Sequence, residues 1–401
     1  MARKRSRRKS VPAGSFDALI DDLASDARGI ARIDNKVVFI EGALPGERVQ
    51  FHYTRCKTDY DEGVLDQVLE ASPDRVQPEC AYHSLCGGCS LQHLSSDAQI
   101  SMKQKMLLDS LQQAANIQPD EVLSPITGER WGYRRKARLG VRDVKAKGRV
   151  LVGFREKANR YLADIHSCEV LHPSVGHKMD ELSNLVGQLH GRKIIAQIEV
   201  AVADDASALI FRHLEPLDEH DLELLVKFAH EYNFIVYLQS GGIDTIVPLW
   251  PVLPQLNYAL PEHDIRLVFE PSDFTQVNTS INRQMVSAAI ELLQIDGSDN
   301  VLDLFCGLGN FTLAIAKLAQ QVTGIEGNEG LLERARKNAV DNNIHNVVFQ
   351  QADLFEDSAG HGWAKQQVDK LLLDPPRSGA QAVVEQIHHL SPERIVYVSC
   401  H

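Results

Sequence analysis

This chain has little of what marks a membrane, secreted or polyanion-coating protein. No apolar run approaches the ~20 residues needed to cross a bilayer, and no signal-peptide hydrophobic segment is present, so the expectation is a cytoplasmic protein with no membrane association. Cations are in deficit, 42 Lys and Arg against 54 Asp and Glu, and the net charge of −12 argues against indiscriminate binding to nucleic acid. Aromatic residues make up only 6% of the chain. Cysteine is scarce and odd in number, seven in 401 residues, which speaks for metal binding or catalysis before disulfides. At this length one core does not suffice, and two or three domains are expected.

What is present is unevenly placed. The first ten residues carry six cations and no acid. A second basic cluster comprises Arg134, Arg135, Lys136, Arg138, Arg142, Lys145, Lys147 and Arg149. An acidic protein with two such patches can still hold a phosphate backbone locally, although the tail reads equally well as a solvated end. The local patterns predict four segments. Residues 1–13 form a disordered basic tail. Residues 14–76 are short strands with tight turns, as in a small OB-type β-barrel. Residues 77–262 alternate helices and strands in an α+β domain that contains a cysteine segment and a basic hairpin. Residues 263–401 turn to regular strand–helix alternation, which calls for an open parallel sheet with helices on both faces.

Ligands of such a sheet sit at the carboxyl ends of its strands, so the residues there are the candidate site. The first strand runs into Asp303-Leu-Phe-Cys-Gly307-Leu-Gly309-Asn310-Phe311, whose glycines allow a tight turn and close backbone approach. The second ends on Glu326, suited to ribose hydroxyls; Asp353 follows the third, Asp374-Pro-Pro-Arg377 the fourth, and Cys400 closes the fifth. A nicotinamide-binding domain shares the acid after the second strand, but its fingerprint wants a third glycine where this loop has Thr312, and Asp-Pro-Pro-Arg has no role in hydride transfer. A thiolate facing a methyl donor fits methylation of a pyrimidine carbon, because addition to carbon 6 makes carbon 5 nucleophilic. The base must then be unpaired or flipped out. A buried structural cysteine is the plain alternative for Cys400. Cys80, Cys86 and Cys89, with the distant Cys168, make four thiolates, and their spacing admits zinc or an iron–sulfur cluster.

Two resemblances follow from these motifs. The Pro45-Gly46-Glu47 turn and its flanking strands resemble a TRAM domain, an RNA-binding barrel. Phe274-x-Gln276-Val-Asn278, the Asp303–Phe311 loop, Asp374-Pro-Pro-Arg377 and Ser399-Cys400 stand in the order found in the RNA uracil-5 methyltransferases, and with the cysteines the chain is most similar to the 23S ribosomal RNA branch. The resemblance implies a class I, Rossmann-like methyltransferase domain acting on 23S ribosomal RNA, with no obligate protein partner. It implies S-adenosylmethionine contacts from Gln276, Phe305, Asn310, Glu326, Asp353 and Asp374, and Cys400 as nucleophile. It leaves Cys306 structural, and it implies a [4Fe-4S] cluster on Cys80, Cys86, Cys89 and Cys168. The family continues past Ser-Cys with Asn-Pro, further strands and a glutamate proposed as base, whereas here His401 follows. The expectation is therefore a domain lacking its last strands, an exposed edge at Ile395–Val398, weak cofactor binding and little turnover. The competing readings are an inactive RNA-binding protein and a transfer-RNA uracil-5 methyltransferase.

Overall fold

Buried residues at alternate positions, such as Val38 and Ile40 or Val49 and Phe51, build the first sheet. In a computed structural model, which describes residues 11–157, 159–356 and 362–400, the chain divides into two compact units. The first comprises the chain to Pro125 together with Phe154–Ala163, and the second comprises the rest. These units do not coincide with the expected boundaries at 76 and 262. The basic tail expected over residues 1–13 falls mostly outside the described residues.

In the first unit six strands pair in the order Phe16–Leu19, Arg48–Cys56, Tyr60–Glu70, Lys36–Glu41, Gly29–Ile33 and Asp22–Leu23. Their inward residues, among them Ile20, Val38, Ile40, Val49 and Phe51, form the core. Gly63 faces that core because a Cβ there would stand 2.5 Å from the Phe51 ring. The Pro45-Gly46-Glu47 turn is pinned by a buried charge. Glu47 is fully buried, accepts the amides of Leu44 at 2.9 Å and Ser72 at 3.3 Å, and takes two bonds from Arg75. Burial alone would raise its pKa, yet Arg75 and those amides hold it below the usual carboxylate range. The helix Ser96–Ala115 is capped by Ser95, whose side chain accepts from the Ala98 amide.

In the second unit a six-stranded sheet runs Ile246–Trp250, Phe234–Gln239, Ser207–His213, Ile195–Val202, Lys136–Val144 and Arg149–Gly153. A hairpin, Leu256–Leu260 with Ile265–Phe269, leads to the helix Thr279–Leu293. Then come five parallel strands: β1 (Asn300–Leu304), β2 (Gln321–Glu326), β3 (Val347–Gln351), β4 (Lys370–Leu373) and β5 (Arg394–Tyr397), in the order β3-β2-β1-β4-β5. Both faces are buried, as continuous apolar runs such as Leu371-Leu-Leu373 require. Val301, Val322 and Leu372 face one cluster, which also takes in Ala201, Ile210 and Tyr237 of the six-stranded sheet. Leu302, Leu304, Leu371 and Leu373 face another, with Trp363 and Val383. The two sheets of this unit therefore share a core. At the sheet's edge Ile395 and Tyr397 are exposed, while Val396 and Val398 pack inward.

Gly176 is the tightest point of the second unit. A Cβ there would lie 2.2 Å from the Cys168 carbonyl oxygen and 3.0 Å from that of Leu171, and neither backbone can yield cheaply. Gly176→Ala should destabilise this unit by ~3 kcal/mol or more. All three tryptophans, Trp131, Trp250 and Trp363, lie in this unit, so a tryptophan-fluorescence melt reads it alone.

Candidate active site

The reversal of strand order falls between β1 and β4, so the segments that follow them pack on opposite faces of the sheet, and open parallel sheets hold ligands at such a point. The loop after β1 is strained. Phe305, Gly307 and Gly309 take φ of 67°, 53° and 89°. The glycines adopt this freely, but a phenylalanine does not. It is kept there because the amides of Phe305 and Cys306 both donate to the Ile325 carbonyl, at 2.9 and 3.0 Å. Such strain marks functional loops more often than structural ones.

Glu326 ties the end of β2 to that loop. Its carboxylate accepts the Gly307 amide at 3.2 Å and the Asn328 amide at 3.0 Å, leaving lone pairs for further donors such as ribose hydroxyls. Asp353 is exposed after β3 and accepts the Phe355 amide at 2.8 Å. The Phe355 ring lies edge-on to Phe305, 5.8 Å between centroids. Nothing in the sequence pointed to Phe355, because an aromatic outside any motif gives no periodic signal. Asp374 is half-buried at the end of β4, and burial pushes its pKa up to about 6.

Asn310, expected as a cofactor contact, has its side chain held by protein partners. Its amide forms a reciprocal pair with Asn282, at 2.9 and 3.0 Å, and also accepts from the Tyr258 hydroxyl at 3.1 Å. The side chain thus anchors the loop to the hairpin and to the helix Thr279–Leu293. Asp303, which the sequence showed only as the start of the motif, is fully buried. It accepts the Thr312 hydroxyl at 2.6 Å, while its other oxygen has no partner among the described residues. Burial raises its pKa to about 7, with Asp374 and Glu326 adding and Thr312 opposing. Cys306 is buried and its thiol is raised well above normal by that burial, so it does not compete as a nucleophile.

Cys400 is exposed, three residues past β5, and the Val398 amide bonded to the Leu373 carbonyl at 2.8 Å carries the β4–β5 pairing toward it. Gln276 lies outside the sheet, half-buried, on a segment held where the Arg135 amide donates to Val277 at 2.9 Å and where Asn278 caps the next helix. Thus Phe305, Asn310, Glu326, Asp353 and Asp374 share one edge of the sheet, with Cys400 at the end of the strand beside β4.

The cysteine segment belongs to the first unit. Cys86 pairs with Glu156 and Gly87 donates to the Arg155 carbonyl at 2.8 Å, so the loop rests on the strap at 154–163. The Gly88 amide points at the Cys86 sulfur, 3.4 Å away. Burial raises the Cys86 thiol, and neighbouring Cys89 and Cys80 raise it further. Cys168 belongs to the second unit, where its amide donates to Gly176 at 2.9 Å. Among the described residues, the metal-ligand atoms drawn within 4.8 Å of one another are those of His190, His220 and Asp221. This group suits a metal poorly. The two imidazoles stack at 4.4 Å, so their lone pairs run parallel instead of converging, and both Asp221 oxygens already accept amides.

Asp303 and Asp374 are both raised in the fold, so the unfolded chain ionises them at lower pH than the folded chain does. Their contribution to stability is greatest below about pH 4 and declines as pH rises to about 6 and about 7. Tryptophan-fluorescence melts across that window should show the decline, and Asp303→Asn should flatten its upper part.

Comparison with known proteins places this geometry. The family described as tRNA (Uracil-5-)-methyltransferase matches residues 256–401, and the TRAM domain matches residues 15–65. The 23S rRNA (uracil(1939)-C(5))-methyltransferase RlmD of Alcanivorax borkumensis is 48% identical over 98% of this chain and 89% of its own length. That of Xanthomonas axonopodis pv. citri is 46% identical over 100% of this chain and 90% of its own. The comparisons give no support to the expectation of an incomplete domain. The crystal structure of Pyrococcus abyssi tRNA (uracil-54, C5)-methyltransferase with S-adenosyl-L-homocysteine superposes with a TM-score of 0.71 at 23% identity, covering 96% of this chain and 90% of that one, and so shares the fold. No helix among the described residues is long and apolar enough to cross a membrane. At this identity over nearly the whole chain, the protein belongs to the RNA uracil-C5 methyltransferase family.

Proposed function

We propose that this chain methylates carbon 5 of a uridine in 23S ribosomal RNA, in the cytoplasm. The observation that carries the reading is its identity of 46–48% to RlmD proteins over about nine-tenths of their length. Transfer RNA is the weaker alternative, since the solved transfer-RNA enzyme is only 23% identical.

S-adenosylmethionine, when bound, supplies an electrophilic methyl group on a sulfonium. The chain's own residues do the rest. Phe305, Glu326, Asp353, Asp374, Gln276 and the backbone at Asn310 hold the donor at the strand ends. The Cys400 thiolate forms a bond to carbon 6 of the flipped-out uracil, and the electron pair moves onto the ring, making carbon 5 nucleophilic. After carbon 5 takes the methyl group, a base removes its proton and the carbon–sulfur bond breaks, returning the thiolate. The exposure of Cys400 supports this role, because the attacking sulfur must meet an RNA base from solvent.

We take Cys80, Cys86 and Cys89 to hold a [4Fe-4S] cluster, with Cys168 as fourth ligand, on the sequence pattern and its resemblance alone. Methyl transfer needs no redox step, so its role is to brace the loop.

RNA carrying 5-fluorouracil should form a covalent adduct stable to denaturing electrophoresis, since fluorine cannot leave as a proton does. Cys400→Ala should abolish the adduct and lower methylation by about 10^4-fold or more. Methylation that survives this substitution defeats the mechanism. Anaerobically purified protein should be brown, with roughly four irons per chain, and Cys86→Ser should lose that colour. Stoichiometric zinc in place of iron would overturn the cluster assignment.

A further inference from the structure

Lys136 belongs by sequence to the basic cluster, and strand alternation puts it on the same face as the exposed Arg138 and Arg142. Its surroundings set it apart. The ammonium donates to the carbonyls of Pro271, at 2.7 Å, and Asp273, at 2.6 Å, and lies 5.7 Å from the centre of the Phe269 ring. The same short stretch is held from its other side. Asp273 is buried, accepts the Glu270 amide at 2.7 Å and is paired with Arg334, in the helix Glu329–Asp341 that follows Glu326. Three residues beyond Asp273 the chain presents Gln276. Immediately past that, the Arg135 amide bonds Val277 and Arg134 bridges to Asn278.

We propose that Lys136 is a positioning residue for the cofactor loop and not a cation that meets RNA. Its ammonium cross-links two carbonyls of Pro271–Asp273, and this fixes the path of the segment that carries Gln276. A lysine on an RNA-facing surface would keep its ammonium in water or against phosphate. Here burial pushes the Lys136 pKa down to about 8, although Asp273 and Glu199 favour the charged form, so the amine is drawn away from solvent. Arg138 in the same strand is the contrast, well exposed and bridged to Glu199 at 3.2 Å. The inference rests on the proposed role of Gln276 as a cofactor contact.

The test uses the full chain with S-adenosylhomocysteine as probe by calorimetry, and ribosomal RNA by filter binding over a salt series. Lys136→Met should weaken S-adenosylhomocysteine binding roughly tenfold or more, with RNA affinity within about twofold and its salt slope unchanged. Arg138→Ala should show the reverse, losing RNA affinity and about one from the salt slope. Lys136→Arg, which keeps charge and donors, should recover part of the loss. If Lys136→Met does not fold by circular dichroism, Lys136→Arg carries the same reading through its ratio of cofactor to RNA effects. Unchanged S-adenosylhomocysteine binding, or an RNA defect like that of Arg138→Ala, overturns the proposal. Wild-type protein that binds S-adenosylhomocysteine yet fails to methylate RNA would defeat the function proposed above and leave this test readable.

Discussion

Five parallel strands of one sheet must all end at one edge, and the site depends on that constraint. Hydrogen-bond register and apolar runs such as Leu371-Leu-Leu373 leave the strands no freedom to slip. Every acid that follows a strand is thereby brought to the same side. The strained Phe305 turn, the amide-laden Glu326 and the half-buried Asp374 are consequences of packing a polar edge on an apolar slab.

Burial then divides residues of one chemical type between different tasks. Cys306 and Cys400 stand at the ends of neighbouring strand systems, yet one thiol is sealed among β-strand side chains and the other open to solvent. The basic cluster is divided likewise. Arg135 is bound to Asp204, and Arg149 to Asp180, while Arg142 and Lys145 face outward. A single stretch of eight cations thus supplies internal fasteners and a surface of positive charge, and composition alone does not separate them.

Much of the architecture was legible because it follows local rules. Strand–helix alternation marked all five strands of the last sheet, since each is an apolar run bounded by polar turns, although the fifth ends at Tyr397 and not at Cys400. The division into units was not legible. The cysteine segment packs with the barrel strands, through contacts such as Leu94 on Leu23 and Leu44, and the strap at 154–163 joins it from far along the chain. Long-range burial of this kind leaves no periodic trace.

The sequence by itself determined the class of chemistry. Motif order at strand ends, glycine spacing and the placing of Cys400 are properties of a chain whose topology admits one binding edge. Tertiary structure alone decided which partners the polar side chains take. Asn310 turned its amide to Asn282 and Tyr258, and Lys136 was covered by Pro271–Asp273 although its strand parity matches that of exposed arginines. The physical reason is that hydrogen-bond partners distant in sequence compete for each polar group. The outcome of that competition is set only when the core brings them together.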